Sequence, residues 1–170
     1  MPMVDVHIPE GALRPEAERA LIARLTDILM THEGFDPADQ VMRDVSWVFV
    51  HRPEAVYVAG APAETPRYKI VPTVPEGQFN DQSRPALVAD VTEAILDAEE
   101  GSRPREPGRV WVFPTEIPEG QWGSRGRIVR LAEILSRVTP DAGEAHTLAA
   151  RRIAASRAER SALPDAEAVS

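Results

Sequence analysis

An internal repeat is the feature that most constrains the fold of this chain of 170 residues. Residues 4–30 align without a gap with residues 70–96, and seven of the 27 positions are identical. The identical positions include a Pro-Glu-Gly turn, which occurs at residues 9–11 and again at residues 75–77. Self-similarity at a fixed offset indicates that the chain contains two copies of one supersecondary unit.

Each copy has the pattern of a strand, a helix and a second strand. Residues 4–8 alternate between apolar and polar side chains, which is typical of a half-buried strand. The large apolar residues of 21–29 then fall on one stripe of a helix, and Gly34 supplies a stop signal. The β-rich run at residues 45–50 predicts the second strand, and residues 110–113 do the same in the second copy.

A strand, helix, strand order makes a right-handed crossover between parallel strands. The sequence therefore predicts an α+β fold, in which a tandem β-α-β repeat forms a four-stranded sheet with two helices on one face. We place the first β-α-β unit at residues 1–66 and the second at 67–131, within one fused domain. Residues 132–170 form a C-terminal tail that is helical or disordered. Within the tail we expect a marginal helix around residues 144–160 that is weakly packed or solvated, followed by a disordered end.

The other face of such a sheet needs a cover. Trp111 and Phe113 stand two residues apart and so share a face of their strand, and Trp47 and Phe49 repeat this spacing. If the valines between them meet the helices, these aromatic side chains face outward. Oligomerisation through the aromatic face is the simplest way to cover it.

Composition and motifs exclude several classes of function. The formal charge of −8 argues against a nucleic-acid partner, and the absence of cysteine excludes disulfides and cysteine-ligated zinc. No apolar segment predicts a membrane span or a signal peptide, so we expect a cytoplasmic protein with no membrane partner. The four histidines lack metal-ligand spacing, and no phosphate-binding or dinucleotide-binding motif is present. We therefore expect neither a metal nor a cofactor.

Three segments, taken together with the repeat, resemble the tautomerase superfamily, of which 4-oxalocrotonate tautomerase is the single-unit form. They are residues 2–11 (PMVDVHIPEG), 110–117 (VWVFPTEI) and 120–126 (GQWGSRG). The resemblance covers residues 2–131 and extends to fused two-unit members, such as the cis-3-chloroacrylic acid dehalogenases and malonate semialdehyde decarboxylases. It implies that the chain is a homotrimer, as those members typically are.

The resemblance also implies a role for Pro2, whose secondary amine would carry a proton once Met1 is removed. The chemistry is physically reasonable, because a free α-amine titrates near about 7.7 to 8 in model peptides and loss of hydration disfavours its charged form. Such an amine can act as a base at neutral pH. The second unit has Tyr68 in the register of Pro2, so we expect one site per chain.

The other candidate site residues are two arginines and three aromatic residues. Arg125 and Arg127 lie in a glycine-containing loop and could bind a carboxylate or stabilise an enolate, although a solvated basic turn is an equal alternative. Trp111, Phe113 and Trp122 could line an apolar pocket around an aryl or alkyl group, or could pack at a subunit interface.

The chain also departs from the family pattern. Ala12 follows the first Glu-Gly turn, where the tautomerase pattern has an arginine that binds a dicarboxylate. Phe113 and Ser124 stand where dehalogenase-like members have a catalytic tyrosine and glutamate. These differences disfavour a dicarboxylate substrate and hydrolytic dehalogenation.

The sequence predicts a cofactor-free tautomerase that acts on a small keto or enol acid, with Pro2 as general base and acid. One alternative is a hydratase, dehalogenase or decarboxylase of the same superfamily that uses a cationic Pro2 as general acid. A second alternative is a non-catalytic trimeric member.

Overall fold

The computed structural model describes residues 2–139 and 141–162. Met1, whose removal is expected, and the predicted disordered end at 163–170 lie outside the described residues. The elements in chain order are β1 (Met3–His7), α1 (Pro15–Glu33), α2 (Gln40–Asp44), β2 (Trp47–His51), β3 (Tyr57–Val58), β4 (Ala61–Pro62), β5 (Tyr68–Pro75), α3 (Ser83–Ala98), a 3₁₀ turn (Pro107–Arg109), β6 (Val110–Val112), β7 (Thr115–Ile117), β8 (Gly123–Ser124), β9 (Arg127–Ile128), α4 (Leu131–Leu135) and α5 (Ala142–Ser161).

The chain divides into two compact units. The sheet unit runs to Val74 and includes Ser83–Thr115, so it contains both strand-helix-strand repeats. The C-terminal unit comprises Pro75–Gln82 and the chain from Glu116 onward.

The sheet unit is built on the strand order β2-β1-β5-β6. The strands of each repeat are parallel to each other, as Val4 opposite Val48 shows for the first repeat. The two repeats meet through β1 and β5, which are antiparallel, with Met3 opposite Thr73. This arrangement confirms the predicted tandem β-α-β repeat.

Helix α1 begins and ends where its sequence signals predict. Pro15 occupies the first turn, where its missing N–H costs no hydrogen bond. Gly34 adopts the left-handed conformation at φ 84° and donates its N–H to carbonyls of the last turn, which closes the helix. The stripe of Leu21, Leu25 and Leu29 is buried, and α1 packs against α3.

The face of the sheet away from the helices carries exposed aromatic residues. Val4 and Val6 of β1 are buried, whereas the alternate residues of the strand are only partly covered. We define the aromatic face as Trp47, Phe49, Trp111 and Phe113, which are 61%, 43%, 65% and 47% exposed. Within each pair the rings meet edge to face, with centroids 6.3 Å and 6.2 Å apart. The predicted outward orientation is confirmed.

Helix α5 of the C-terminal unit differs from the weakly packed helix expected between residues 144 and 160. It spans Ala142–Ser161 and buries Ala145 and Ala149 against a small core that includes Leu131 and Leu135 of α4. Its backbone also passes close to Gly77, where an added Cβ would lie 3.0 Å from the nitrogen of Ile153. Packing therefore holds the first part of the helix.

The C-terminal end of α5 is held by a buried carboxylate. Glu76 is 3% exposed at its side chain and accepts hydrogen bonds from Arg157 Nε at 3.0 Å and Nη2 at 3.1 Å. Arg160 and the backbone N–H of Glu119 also donate to Glu76. Charge pairing thus supplies the anchoring that large apolar residues supply elsewhere.

Acid should release this anchor. Hydrogen bonds from Arg157 lower the pKa of Glu76 from 4.5 to about 2, even though burial acts in the opposite direction. A depressed pKa in the folded state stabilises the protein above pH 4.5, and that contribution is lost as the pH falls toward 2. We expect Glu76→Gln to cost about 2 kcal/mol of unfolding free energy at pH 7, because a buried charged acceptor is lost.

Urea unfolding monitored by circular dichroism, at a series of pH values, would measure this effect. The difference between wild type and Glu76→Gln should shrink as the pH falls from 4.5 toward 2. Glu144→Gln, which changes an exposed carboxylate of α5, is the control and should behave as wild type. A Glu76→Gln difference that stays constant with pH would refute this role of Glu76.

Candidate functional site

Pro2 lies at the centre of the sheet edge from which β1 starts. It is buried, and its carbonyl oxygen accepts a hydrogen bond from the backbone N–H of Trp47 at 3.1 Å. Extending the strand register by one residue places Pro2 between Ser46 on the β2 side and Val74 on the β5 side. The backbone of the residue that would become the N-terminus is thus held by a hydrogen bond from β2.

Trp111 lies at the opposite end of β1 from Pro2. The register pairs Trp111 with Lys69, and Lys69 with His7. His7 is five residues along β1 from Pro2, which corresponds to about 16 Å in an extended strand. Phe113 follows β6 two residues nearer to the Pro2 end, and its N–H donates to Ile70 O at 2.8 Å. Within one chain, therefore, Trp111 does not lie beside Pro2.

Arg125 and Arg127 belong to a tight hairpin of the C-terminal unit. Strands β8 and β9 pair with Ser124 opposite Arg127, and the two turn residues Arg125 and Gly126 have φ values of 53° and 73°. Two positive φ values are what a two-residue hairpin turn requires, and glycine adopts them without strain.

The partners of the two arginines differ. Arg127 is paired with Glu133 at 2.6 Å, whereas Arg125 has no carboxylate within 4.0 Å among residues 2–139 and 141–162. Trp122 is half-buried just before β8. The structure thus separates a paired arginine from an unpaired one within the predicted loop.

The sheet unit also contains a cavity of about 590 Å³ at the far end of β1. Its polar and aromatic lining is formed by His7, Tyr57, Arg67, Lys69, Arg109 and Trp111, and valines 56 and 58 add apolar surface. Of the candidate site residues given above, Trp111 lines this cavity. The one sequence feature that distinguishes another of these lining residues is that Lys69 is the single lysine of the chain.

Arg109, which lines this cavity, belongs to a buried ion pair behind the wall. Arg109 donates two hydrogen bonds to Glu99, at 2.6 Å and 2.5 Å, and the hydroxyl of Tyr68 donates to the same carboxylate at 2.8 Å. Burial alone would raise the pKa of Glu99, but the hydrogen bonds from Arg109 and Tyr68 lower it below its ordinary value. Burial, followed by the bond to Glu99, raises the pKa of Tyr68. Glu99 is therefore a charged structural group.

His7 is kept neutral at the edge of the cavity. Its ring stacks on His51 with centroids 4.5 Å apart, and His51 contacts Asp5 at 2.5 Å. Burial lowers the pKa of His7 below 6.5, and the positive charge of Lys69 lowers it further. At neutral pH the imidazole of His7 can consequently both donate and accept a hydrogen bond.

Two kinds of feature are absent from the described part of the chain. None of its helices combines the length and the hydropathy that a bilayer-spanning segment needs. In the same residues, no group of three or more histidine or acidic side chains is arranged to hold a metal ion.

Comparisons with known proteins give matches only among solved structures. No protein-family model matches the chain, and no curated protein does. A structure of N1, a member of the cis-3-chloroacrylic acid dehalogenase family, superposes with a TM-score of 0.62 at 19% identity, over 87% of this chain and 99% of that chain. An asymmetric trimer of F6 fused 4-OT gives a TM-score of 0.61 at 19% identity, over 74% of this chain and 94% of that chain.

A third structure agrees with these two. Pt0534 inactivated by 2-oxo-3-pentynoate gives a TM-score of 0.59 at 23% identity, over 74% of this chain and 94% of that chain. The matches span 94% to 99% of the known structures and 74% to 87% of this chain. The chain therefore has the fused two-unit fold of the tautomerase superfamily.

Proposed function

We propose that this protein is a cofactor-free tautomerase of the tautomerase superfamily, and that Pro2 carries the proton after Met1 is removed. The observation that carries the proposal is the position of Pro2. It directly follows Met1, it is buried, and it opens the central strand of a fold shared with fused 4-OT. The substrate we propose is a small keto or enol acid with one carboxylate.

The proton transfer needs a neutral amine whose nitrogen lone pair points in one fixed direction. Burial disfavours the charged form of an amine, so the Pro2 nitrogen that removal of Met1 frees is suited to act as a base at neutral pH. In the keto form of the substrate, this nitrogen takes a proton from the carbon next to the carbonyl, which leaves an enolate. The resulting ammonium group then gives a proton to the enolate oxygen, which yields the enol and regenerates the amine. Ketonisation is the reverse of these two steps.

A single site per chain is consistent with the second repeat. Tyr68 stands in the register of Pro2, and its hydroxyl is bonded to Glu99 rather than available for catalysis. An internal residue also has no free α-amine. The proposed proton carrier is therefore confined to the first repeat.

Arg125 is our candidate for binding the carboxylate of the substrate. It has no carboxylate partner within 4.0 Å in the described part of the chain, whereas Arg127 is neutralised by Glu133. An unpaired guanidinium can form a bidentate bond with a substrate carboxylate without first breaking an ion pair.

We also propose that the protein is a homotrimer that covers its aromatic face. Trp47 and Trp111 are each more than 60% exposed, and apolar surface of this kind is typical of an interface. Fused 4-OT forms trimers, both asymmetric and symmetric. The trimer would cover the aromatic face around Trp47 and Phe49, whereas Trp111 also lines the cavity described above.

Disruption of the aromatic face should dissociate the trimer. Size-exclusion chromatography with light scattering should give three times the 18.6 kDa mass of one chain for wild type. Trp47→Glu places a charge on the face and should give monomers. Val41→Glu is the control, since Val41 is 56% exposed on α2 and lies outside the aromatic face. A monomeric wild type, or equal dissociation by both variants, would refute the trimer.

Catalysis can be tested with phenylenolpyruvate, whose ketonisation is followed by ultraviolet absorbance. We expect the purified protein to accelerate this reaction near neutral pH. The absence of any acceleration would instead favour hydration or decarboxylation by a cationic Pro2, or a non-catalytic role.

A chemical probe for the amine is also available. Pt0534, which shares this fold, is inactivated by 2-oxo-3-pentynoate. The alkynyl ketone in this reagent adds to neutral amines, so it can report on the nucleophilicity of Pro2 in this protein.

A further inference from the structure

The cavity at the far end of β1 is cationic, although the chain as a whole is acidic. The formal charge of the chain is −8, yet the ionisable residues that line the cavity are His7, Arg67, Lys69, Arg109 and two tyrosines. No aspartate or glutamate is among the residues lining it in the described part of the chain. The cavity is thus positively charged within a negatively charged chain, and a binding site for an anion requires such a local positive charge.

Two of these cations are not neutralised. Arg109 is paired with Glu99, but Arg67 donates its short hydrogen bond to the hydroxyl of Thr65, at 2.6 Å. Within residues 2–139 and 141–162, neither Arg67 nor Lys69 has a carboxylate within 4.0 Å. Most other arginines of the sheet unit do have one, as Arg14 and Arg105 illustrate.

The strand register sets Lys69 between an imidazole and an indole. His7, Lys69 and Trp111 are direct neighbours on β1, β5 and β6, so their side chains leave the sheet on the same face. Tyr57 and the valines of the β3 region complete the lining. The cavity thus combines a positive charge with flat apolar walls, and its volume of about 590 Å³ is in the range of small-molecule sites.

We propose that this cavity binds a small monocarboxylate with an aryl or branched alkyl body. Lys69 and Arg67 bind the carboxylate, while Trp111 and Tyr57 pack against the apolar body. The site does not depend on the proposed function, because all of its lining residues lie away from Pro2, and Lys69 is opposite His7, five residues along β1.

Isothermal titration calorimetry of the full chain tests the charge requirement directly. The probes are 4-phenylbutyrate, the neutral 4-phenylbutan-1-ol and the cationic 4-phenylbutylamine, which share one apolar body. We expect saturable binding of one 4-phenylbutyrate per chain, with the alcohol weaker by about tenfold or more and the amine weaker still. Equal binding of the acid and the alcohol, or no binding of the acid, would overturn the proposal.

Variants then locate the site. Lys69→Gln should weaken 4-phenylbutyrate binding by about tenfold, and Lys69→Arg should restore most of the affinity because the charge is kept. Arg151→Gln is the matched control, since it removes an exposed cation of α5 that does not line the cavity, and it should bind as wild type.

The same titration separates this site from the proposed catalytic one. Pro2→Ala should bind 4-phenylbutyrate with unchanged affinity. This result is expected whether or not the wild-type protein has tautomerase activity. Loss of binding in Pro2→Ala, or full binding in Lys69→Gln with an unchanged circular dichroism spectrum, would refute the assignment to the cavity.

Discussion

Replacement of Pro2 by alanine is expected to lower kcat/KM for the ketonisation of phenylenolpyruvate by about 100-fold or more, which is the range of a positioned acid or base. Alanine keeps an α-amine after Met1 removal, but it loses the ring that fixes the direction of the nitrogen lone pair. The measurement is the initial rate at one pH near neutrality, with intact mass used to verify that Met1 is absent from both proteins.

Pro15→Ala provides a matched control for this experiment. Pro15 is an exposed proline at the first turn of α1, so its replacement alters the same residue type away from the proposed amine. We expect its rate to equal that of wild type. An undiminished rate in Pro2→Ala, or equal losses in both variants, would contradict a proton-carrying role for Pro2.

Replacement of Arg109 by methionine is expected to destabilise the protein by about 3 to 5 kcal/mol, because it leaves the charge of Glu99 buried and without its main partner. Arg109 and Glu99 are 3% and 2% exposed at their side chains, so water cannot take the place of the guanidinium. The hydroxyl of Tyr68 and the guanidinium of Arg103, whose Nη1 lies 3.8 Å from Glu99 Oε1, would remain as the partners of the carboxylate. The free energy of unfolding in urea at neutral pH measures the effect.

The chain contains a control pair with nearly identical geometry. Arg14 donates to Glu100 at 2.5 Å and 2.6 Å, but these side chains are 67% and 43% exposed. Arg14→Met should therefore change the free energy of unfolding little, because solvent screens the pair. Equal losses for Arg109→Met and Arg14→Met would show that burial does not determine the strength of the Arg109–Glu99 interaction.

The sheet unit could be predicted from the sequence because its signals are local and occur twice. The alternation around Val4 and Val6, together with the stop at Gly34, defines elements whose hydrophobic period is visible in any short window. The outward direction of Trp47 and Trp111 followed from the same period of two. Because the unit occurs twice, the sequence also indicated a tandem β-α-β topology.

The packing of α5 could not be predicted in this way. Its anchor joins Glu76 to Arg157, which is 81 residues later in the chain. Glu76 lies in the repeated Pro-Glu-Gly turn, whose first copy has an exposed Glu10 at the equivalent position. A pattern based on large apolar residues therefore underestimated a helix that is held by charge.

The same distinction between local and long-range signals separates the candidate sites. Pro2 was identified because its chemistry depends on its place next to Met1, which the sequence states directly. The cavity was missed because Lys69, His7 and Trp111 become neighbours only through the register of three strands. The difference between Arg125 and Arg127 likewise rests on the ion pair with Glu133, which composition cannot reveal.

Labelling with 2-oxo-3-pentynoate tests the central claim most directly, because a chain without Met1 has only two amines, the Pro2 nitrogen and Lys69 Nζ. The reagent adds to the neutral amine, and peptide mass spectrometry locates the adduct. We predict that each chain carries one adduct, on Pro2, and that the Lys69→Arg variant is labelled in the same way. The rate of ketonisation should fall in proportion to the fraction of labelled chains. Retention of Met1, labelling of Lys69 alone, or full activity in a protein labelled at Pro2 would contradict the claim that Pro2 carries the proton.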